Sequence, residues 1–234
     1  MRLQVFLSHS RVCSRRKALE LVQAGRVSVQ GKVITEPSYE VSADAPDIRL
    51  DGRKVELGGK DYLILNKPRG VVTTLQDKYA QATVLELLPK AYKHLYPVGR
   101  LDKDSEGLLL FTNDGELTFK LLHPSFKVNK VYYVETDKPL NEKDIRRLED
   151  GVNIADRKTA PAKIEPQGKA SLRITIHEGR KRQIRLMLSS LGFQVRRLSR
   201  IKYGPISLGN LKAGQWRLLD KKEIESLRGK ETGG

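Results

Sequence analysis

The sequence predicts an α+β fold: a small N-terminal unit of helices and hairpins, then a larger mixed domain built mostly on an antiparallel sheet. Three observations carry this. Helix-cap and hairpin-turn signals crowd the first sixty residues, strand-like runs dominate the rest, and helical stretches fall among those runs without the regular alternation of a doubly wound sheet. At 234 residues and 38% hydrophobic, the chain is long enough for a small and a medium core.

In chain order, a short helix is expected around Leu3 to Ser8. "SRRKALELVQAG" opens on Ser14 as an N-cap, sets Ala18, Leu21 and Val22 at helical spacing, and closes on Gly25. "RVSVQGKVI" alternates Val27 and Val29 about a turn at Gly31, and "IRLDGRKVEL" carries Asp51-Gly52, a dipeptide suited to a two-residue hairpin. "GGKD", Gly58 to Asp61, reads as the linker, giving domains at 1–59 and 60–228 and a disordered tail at 229–234. Beyond the linker, "YLILNKP", "LLLF" and "SLRITIHEG" read as strands, the last with Leu172, Ile174 and Ile176 on one face. "LNEKDIRRLEDG", "RKRQIRLMLSSLG" and "KKEIESLRG" read as helices, the second with Ile184, Met187, Leu188 and Leu191 as its buried stripe.

Charge points to the partner. Lys and Arg number 44 against 28 acids, a net +16, which favours a polyanion: nucleic acid first, an acidic membrane surface second. No window approaches the roughly 20 apolar residues of a membrane span, and the N-terminus lacks the apolar core of a signal peptide, so a cytoplasmic protein is expected. The single cysteine, Cys13, excludes an internal disulfide and reads as structural. Two basic clusters stand out. Arg15, Arg16 and Lys17 follow Ser14 at a helix N-terminus, where cations oppose the macrodipole, with Arg26 and Lys32 just beyond. From Gly179 to Leu219 there is no acid, and Arg180, Lys181, Arg182 and Arg185 sit at its start, the last three expected on adjoining helix faces.

The carboxylates of "GRLDKDSEGLLLFTNDG" admit three readings. A calcium loop fails, because Asn113 stands where a bidentate Glu is required and Leu108 to Phe111 fill ligand positions. A nuclease-type magnesium cluster would need Asp102, Asp104 and Glu106 to converge with other acids. A single reactive carboxylate fits best: Asp102, between the turn-forming Gly99 and Gly107, with Asp104 and Glu106 shaping the loop.

That segment closely resembles the active-site motif of the pseudouridine synthases of the RsuA/RluB/RluE/RluF group. "YLILNKPRG", "NKVYYV", "KTAPAKIE" and "EGRKRQIRLM" resemble the group's other motifs in the same order, and the first sixty residues are similar to its N-terminal S4 RNA-binding domain. The resemblance implies isomerisation of a uridine in ribosomal RNA or a pre-ribosomal particle, without cofactor or metal, by a monomer. "GRLDKDSEGLLLFTNDGEL" and "RIKYGPISLGNL" look closer to the large-subunit than the small-subunit type.

Carried over by position, the resemblance makes Asp102 the essential aspartate, Tyr132 the active-site tyrosine and Arg185 the arginine paired with Asp102. Tyr133 competes with Tyr132, since adjacent strand residues face opposite ways, but the K-x-Y-x-V spacing favours Tyr132. Arg100 would fill the space of a flipped-out uridine. Lys67 and Arg180 to Arg182 would hold flanking phosphates, and Ser14 to Lys17, Arg26 and Lys32 would grip RNA through the S4-like unit. Asp102 would either attack C1′ or act on a sugar proton. A non-catalytic RNA-binding protein and a metal-dependent nuclease are the rival classes.

Overall fold

The computed structural model describes residues 1–42, 47–74 and 82–229; the expected disordered tail lies outside them apart from Gly229. The chain forms two compact units, one of Met1–Asp61 with Pro89–Tyr96 and Thr112–Gly115, the other of the remaining residues.

In the first unit, α1 (Leu3–His9) and α2 (Arg15–Gln23) precede β1 (Val27–Val29), β2 (Lys32–Ile34), β3 (Ile48–Leu50) and β4 (Arg53–Lys54). Ser14 caps α2 by accepting from the Lys17 amide, and Gly25 takes φ +68° just beyond the helix end. Both hairpin turns have two left-handed residues, Gln30-Gly31 and Asp51-Gly52, and the sheet order is β2-β1-β3-β4. Leu3, Phe6, Leu7, Ala18, Leu21, Val22, Val27 and Ile48 fill the core. Cys13 packs at its margin, where burial pushes the thiol up despite nearby Lys17, the opposite of an activated nucleophile. The "GGKD" segment is pinned rather than loose. Arg11 pairs with Asp61 at 2.7 Å and donates to the Gly59 carbonyl, while Asn113 accepts from the Asp61 amide and donates to Gly59.

The elements that follow are β5 (Tyr62–Lys67), β6 (Tyr96–Pro97), β7 (Glu106–Thr112), α3 (Gly115–Leu122), β8 (Lys130–Thr136), α4 (Glu142–Asp150), β9 (Asn153–Ile154), β10 (Arg157–Lys158), β11 (Lys163–Gly168), β12 (Ser171–Ile176), α5 (Gln183–Ser189), β13 (Val195–Tyr203), β14 (Ile206–Ser207), β15 (Trp216–Leu218) and α6 (Lys221–Arg228). One sheet runs β11-β12-β8-β13-β7-β5-β15. Its pairs β11/β12, β12/β8, β8/β13 and β15/β5 are antiparallel, whereas β13 and β7 run parallel. Tyr62, Ile64, Leu108, Leu110, Leu117, Leu121, Tyr203 and Leu227 form one core cluster.

Residues 115–122 form a helix that the sequence did not lead us to expect, and one local expectation is corrected. In "RKRQIRLMLSSLG" the helix begins only at Gln183, because Arg182 is left-handed at φ +55°, so Lys181 and Arg182 do not share helix faces with Arg185. Ile184, Met187 and Leu188 are buried as expected; Leu191 lies beyond the helix and is half-buried.

Candidate active site

The loop from Gly99 to Gly107 is held by backbone contacts from the "NKPRG" segment and the residues after it. Lys67 is fully buried, and its Nζ donates to the carbonyls of Pro68 (3.0 Å), Asp102 (3.2 Å) and Ser105 (2.7 Å). The Gly70 amide donates to Lys103 O at 2.7 Å, and Thr73 Oγ1 donates to Leu101 O at 2.7 Å. The Ser105 amide closes the turn on Asp102 O at 3.0 Å. Lys67 therefore staples the loop and cannot be the phosphate contact its sequence suggested: its ammonium is consumed by carbonyls out of reach of solvent. Burial lowers its pKa to about 8, although Asp104, Asp102 and Glu106 pull it back up. Gly107 ends the loop at φ +103°, where an added Cβ would come within 2.4 Å of the Arg200 carbonyl on parallel β13.

Within this loop the carboxylates divide. Asp104 takes two hydrogen bonds from Arg182, at 3.1 and 3.0 Å, and lies 3.1 Å from Arg185 Nε. Burial raises its pKa, but the Arg182 hydrogen bonds and the charges of Arg185 and Arg182 outweigh it, leaving a net lowering. Glu106 is paired with Arg197 at 2.6 Å. Asp102, half-buried, has no side-chain hydrogen bond or ion pair with any described residue, though its charge acts on Lys67, Arg182 and Arg185.

The expected Arg185–Asp102 pair is thus replaced by Arg185–Asp104. Arg185 Nη2 donates to the Asp104 carbonyl at 2.8 Å and Nη1 to Val195 O at 3.1 Å, so the fork is spent on fixing the loop to the start of β13. Arg180 is also corrected: its guanidinium donates to the carbonyls of Arg157 (2.9 Å) and Lys158 (2.7 Å), which makes it a clamp on the β9–β10 hairpin. Lys181 and Arg100 are exposed and make no side-chain hydrogen bond or ion pair with a described residue.

Tyr132 aligns with Ile174 on one side and Arg200 on the other, so the three share a sheet face. Tyr132 is 9% exposed, and Arg200 is buried with Nε donating to Leu108 O at 2.7 Å. Tyr133 faces the other way, 5.9 Å from the Arg197 guanidinium. An open cleft of about 250 Å³ is lined by Arg69, Asp104, Glu106, Arg196, Arg197 and Leu198. The acids of the loop do not gather: among the described residues no three His, Cys, Asp or Glu side chains are placed to share a metal ion.

Residues 61–190 match the family model described as RNA pseudouridylate synthase, and residues 1–45 match the S4 domain. The chain belongs to the RNA pseudouridylate synthase family. It is 40% identical to the ribosomal large subunit pseudouridine synthase B of Bacillus subtilis (strain 168), over 97% of this chain and 95% of that one. It is 39% identical to an uncharacterized RNA pseudouridine synthase of Aquifex aeolicus (strain VF5), over 97% and 93%. A pseudouridylate synthase crystal structure covers 97% of this chain, with 99% of its own length matched, at 29% identity and a TM-score of 0.70.

In this pseudouridylate synthase family member the S4 match includes Ser14 and the cations Arg15, Arg16, Lys17, Arg26 and Lys32, which the structure sorts into two groups. Arg15, Arg16 and Lys32 are exposed and make no ion pair with a described residue. Lys17 pairs with Glu20 at 2.9 Å, Arg26 engages both oxygens of Asp51, and the Ser14 hydroxyl is spent on its own helix. Residues that the sequence did not single out are Thr73 and Gly70 behind the loop, and Arg69, Arg196 and Arg197 around the cleft. "KPRG" held a signal for the first group, since a Pro-Arg-Gly turn after a buried strand must bring backbone donors to something nearby.

Proposed function

We propose that this protein converts a uridine of ribosomal RNA to pseudouridine, on large-subunit in preference to small-subunit RNA, using the Asp102 carboxylate. The observation that carries the reading is the division within one stapled loop: Asp104 and Glu106 are engaged by arginines, while Asp102 is fixed through its backbone with its carboxylate left unengaged by described residues. A group positioned by its main chain and unspent at its side chain is suited to meet a reacting sugar. The 40% identical relative named for the large ribosomal subunit supports the choice of RNA.

The reaction breaks N1–C1′ of the target uridine, turns the uracil and joins C5 to C1′, releasing the C5 proton. Asp102 either bonds C1′ transiently or removes a sugar proton. Tyr132 provides a flat face and a phenol at the base, and Arg185, acting through Asp104 and the loop backbone, sets where Asp102 stands. Arg100 fills the space left by the flipped nucleotide. Lys181 and the exposed cations Arg15, Arg16 and Lys32, which pair with no described residue, hold phosphates, with residues 1–59 serving as the RNA-gripping module and 60–228 as the catalytic one. The protein works as a cytoplasmic monomer.

Tritium release from RNA labelled at uridine C5 tests this directly. Release by the wild-type chain, unaffected by EDTA and abolished in Asp102→Asn with RNA affinity retained, is the expected result. RNA cleavage that EDTA stops would establish a nuclease, and binding without release a non-catalytic RNA binder.

A further inference from the structure

The segment between β7 and β8 presents an aromatic cluster that the chemistry above does not use. Phe119 on α3 is 60% exposed, and Phe126 in the turn after it is 46% exposed. The His123 ring joins them, with centroids 4.9 Å from Phe119 and 6.2 Å from Phe126, and the two phenylalanines meet edge-on at 6.2 Å and 81°. A single turn of 3-10 helix, Pro124–Phe126, fixes the arrangement. His123 Nδ1 caps it against Ser125, and Lys127 closes it in a left-handed conformation at φ +46°. Three mutually oriented rings held at the surface by turn chemistry are not core residues that failed to pack. Buried aromatics such as Phe111 serve that purpose here.

Place and charge identify what the rings meet. Leu122, 47% exposed beside them, lies against Gly99, where an added Cβ would be 3.2 Å from its Cδ2. Gly99 leads directly to exposed Arg100 and, three residues on, to Asp102, a span of at most about 11 Å along the chain. The cluster is thus continuous with the entry to the candidate active site. Between residues 115 and 129 the only acid is Glu116; the Lys120 ammonium is held on the Arg228 carbonyl at 2.6 Å, and Lys127 at the end of the turn is exposed, in a chain of net charge +16. Flat rings beside an exposed cation suit nucleobases, which stack on aromatic faces whatever their sequence while a phosphate meets the cation.

We propose that Phe119, His123 and Phe126 form a stacking platform for an unpaired nucleobase flanking the target uridine, so that RNA is held open beside the loop that carries Asp102. This rests on the isomerase reading for the identity of the RNA, but not for the stacking itself. The platform supplies affinity and presentation; it touches no reacting atom.

The test uses the full chain and two RNAs: a large-subunit hairpin that releases tritium, carrying 2-aminopurine one nucleotide to either side of the released uridine, and single-stranded oligoadenylate containing 2-aminopurine. Phe119→Leu and Phe126→Leu keep an apolar surface but remove the ring. Each is expected to weaken binding about tenfold and to relieve the 2-aminopurine quenching, with Phe119→Tyr restoring both. Wild-type affinity and quenching in the double Leu variant would overturn the platform. So would concentration-dependent self-association of the wild type that the double variant abolishes, because the cluster would then belong to a second copy. Quenching on oligoadenylate by a wild-type chain that releases no tritium from any ribosomal RNA would sink the isomerase reading and leave the platform standing.

Discussion

Replacing Lys67 with methionine separates a buried staple from a phosphate contact. Methionine matches the length of the lysine stem and fills its space, so the change falls on the ammonium. Three carbonyls, those of Pro68, Asp102 and Ser105, lose a charged donor. Hydrogen bonds to charged groups contribute about 1.5–3 kcal/mol each. Against that stands the net cost of holding the charge there, burial less the pull of Asp104, Asp102 and Glu106, which the fall of its pKa from 10.5 to about 8 puts at about 3 kcal/mol. The balance is a destabilisation of roughly 2–6 kcal/mol, in the range for breaking a buried charged interaction. Because two of the three carbonyls belong to the Asp102 turn, the turn should loosen as well, and the single-turnover rate on saturating RNA should fall at least about tenfold. RNA affinity and its salt dependence should stay at wild-type values, since the ammonium is sealed from solvent. Urea unfolding, tritium release at saturating enzyme and RNA titrations at several salt concentrations measure the three quantities. Unchanged stability together with weaker binding and a shallower salt slope would refute the staple and return Lys67 to the RNA surface.

Stability should also rise with pH in the alkaline range, because Lys67 is depressed to about 8 in the folded chain from 10.5, so that the unfolded chain binds more protons in between. The gain is absent below about pH 8 and complete above about 10.5; Lys130, which burial also lowers to about 8, contributes over the same window, so urea titrations should show a slope that Lys67→Met reduces without abolishing, and an undiminished slope in the variant would assign it elsewhere. Arg185→Lys keeps a charge but cannot reach Val195 O, Asp104 O and the Asp104 carboxylate together, so saturated turnover should drop about tenfold or more, whereas Lys181→Ala should weaken binding alone. Loss of affinity only in both variants would make Arg185 another phosphate contact. Gly107→Ala places a Cβ within 2.4 Å of the Arg200 carbonyl at φ +103° and should cost about 3 kcal/mol or more in urea unfolding; a variant as stable as wild type would deny the close β7–β13 approach. Changing Arg15, Arg16 and Lys32 together to alanine should lower the log–log salt slope of RNA binding by about 2 to 3, and an unaltered slope would mean these cations are only solvated.

Local signals were legible in the sequence wherever one segment decides its own conformation. The Ser14 cap, the Asp51-Gly52 hairpin and the alternation of Leu172, Ile174 and Ile176 each satisfy a rule spanning a few residues, and each appears in the structure. The ordered motifs from "YLILNKPRG" to "RQIRLM" likewise sufficed to indicate the family. What sequence could not assign was the partner of each charge. Lys67 looked like a surface cation because its neighbours in the chain say nothing of the Asp102 and Ser105 carbonyls, which come from 35 and 38 residues away. Arg185 was matched to the wrong carboxylate for a related reason: Asp102 and Asp104 are two residues apart, and only the turn closed by the Ser105 amide determines which one meets the guanidinium. The α5 start was misplaced because a left-handed Arg182 is set by its two bonds to Asp104, 78 residues back, and not by helix propensity. Most secondary elements, the basic character and the family were legible in the sequence, since those depend on short-range periodicity, composition and ordered motifs. Tertiary structure decides which carboxylate the described residues leave unengaged, because electrostatic pairing acts over a few ångströms and the chain brings those few ångströms together only by folding.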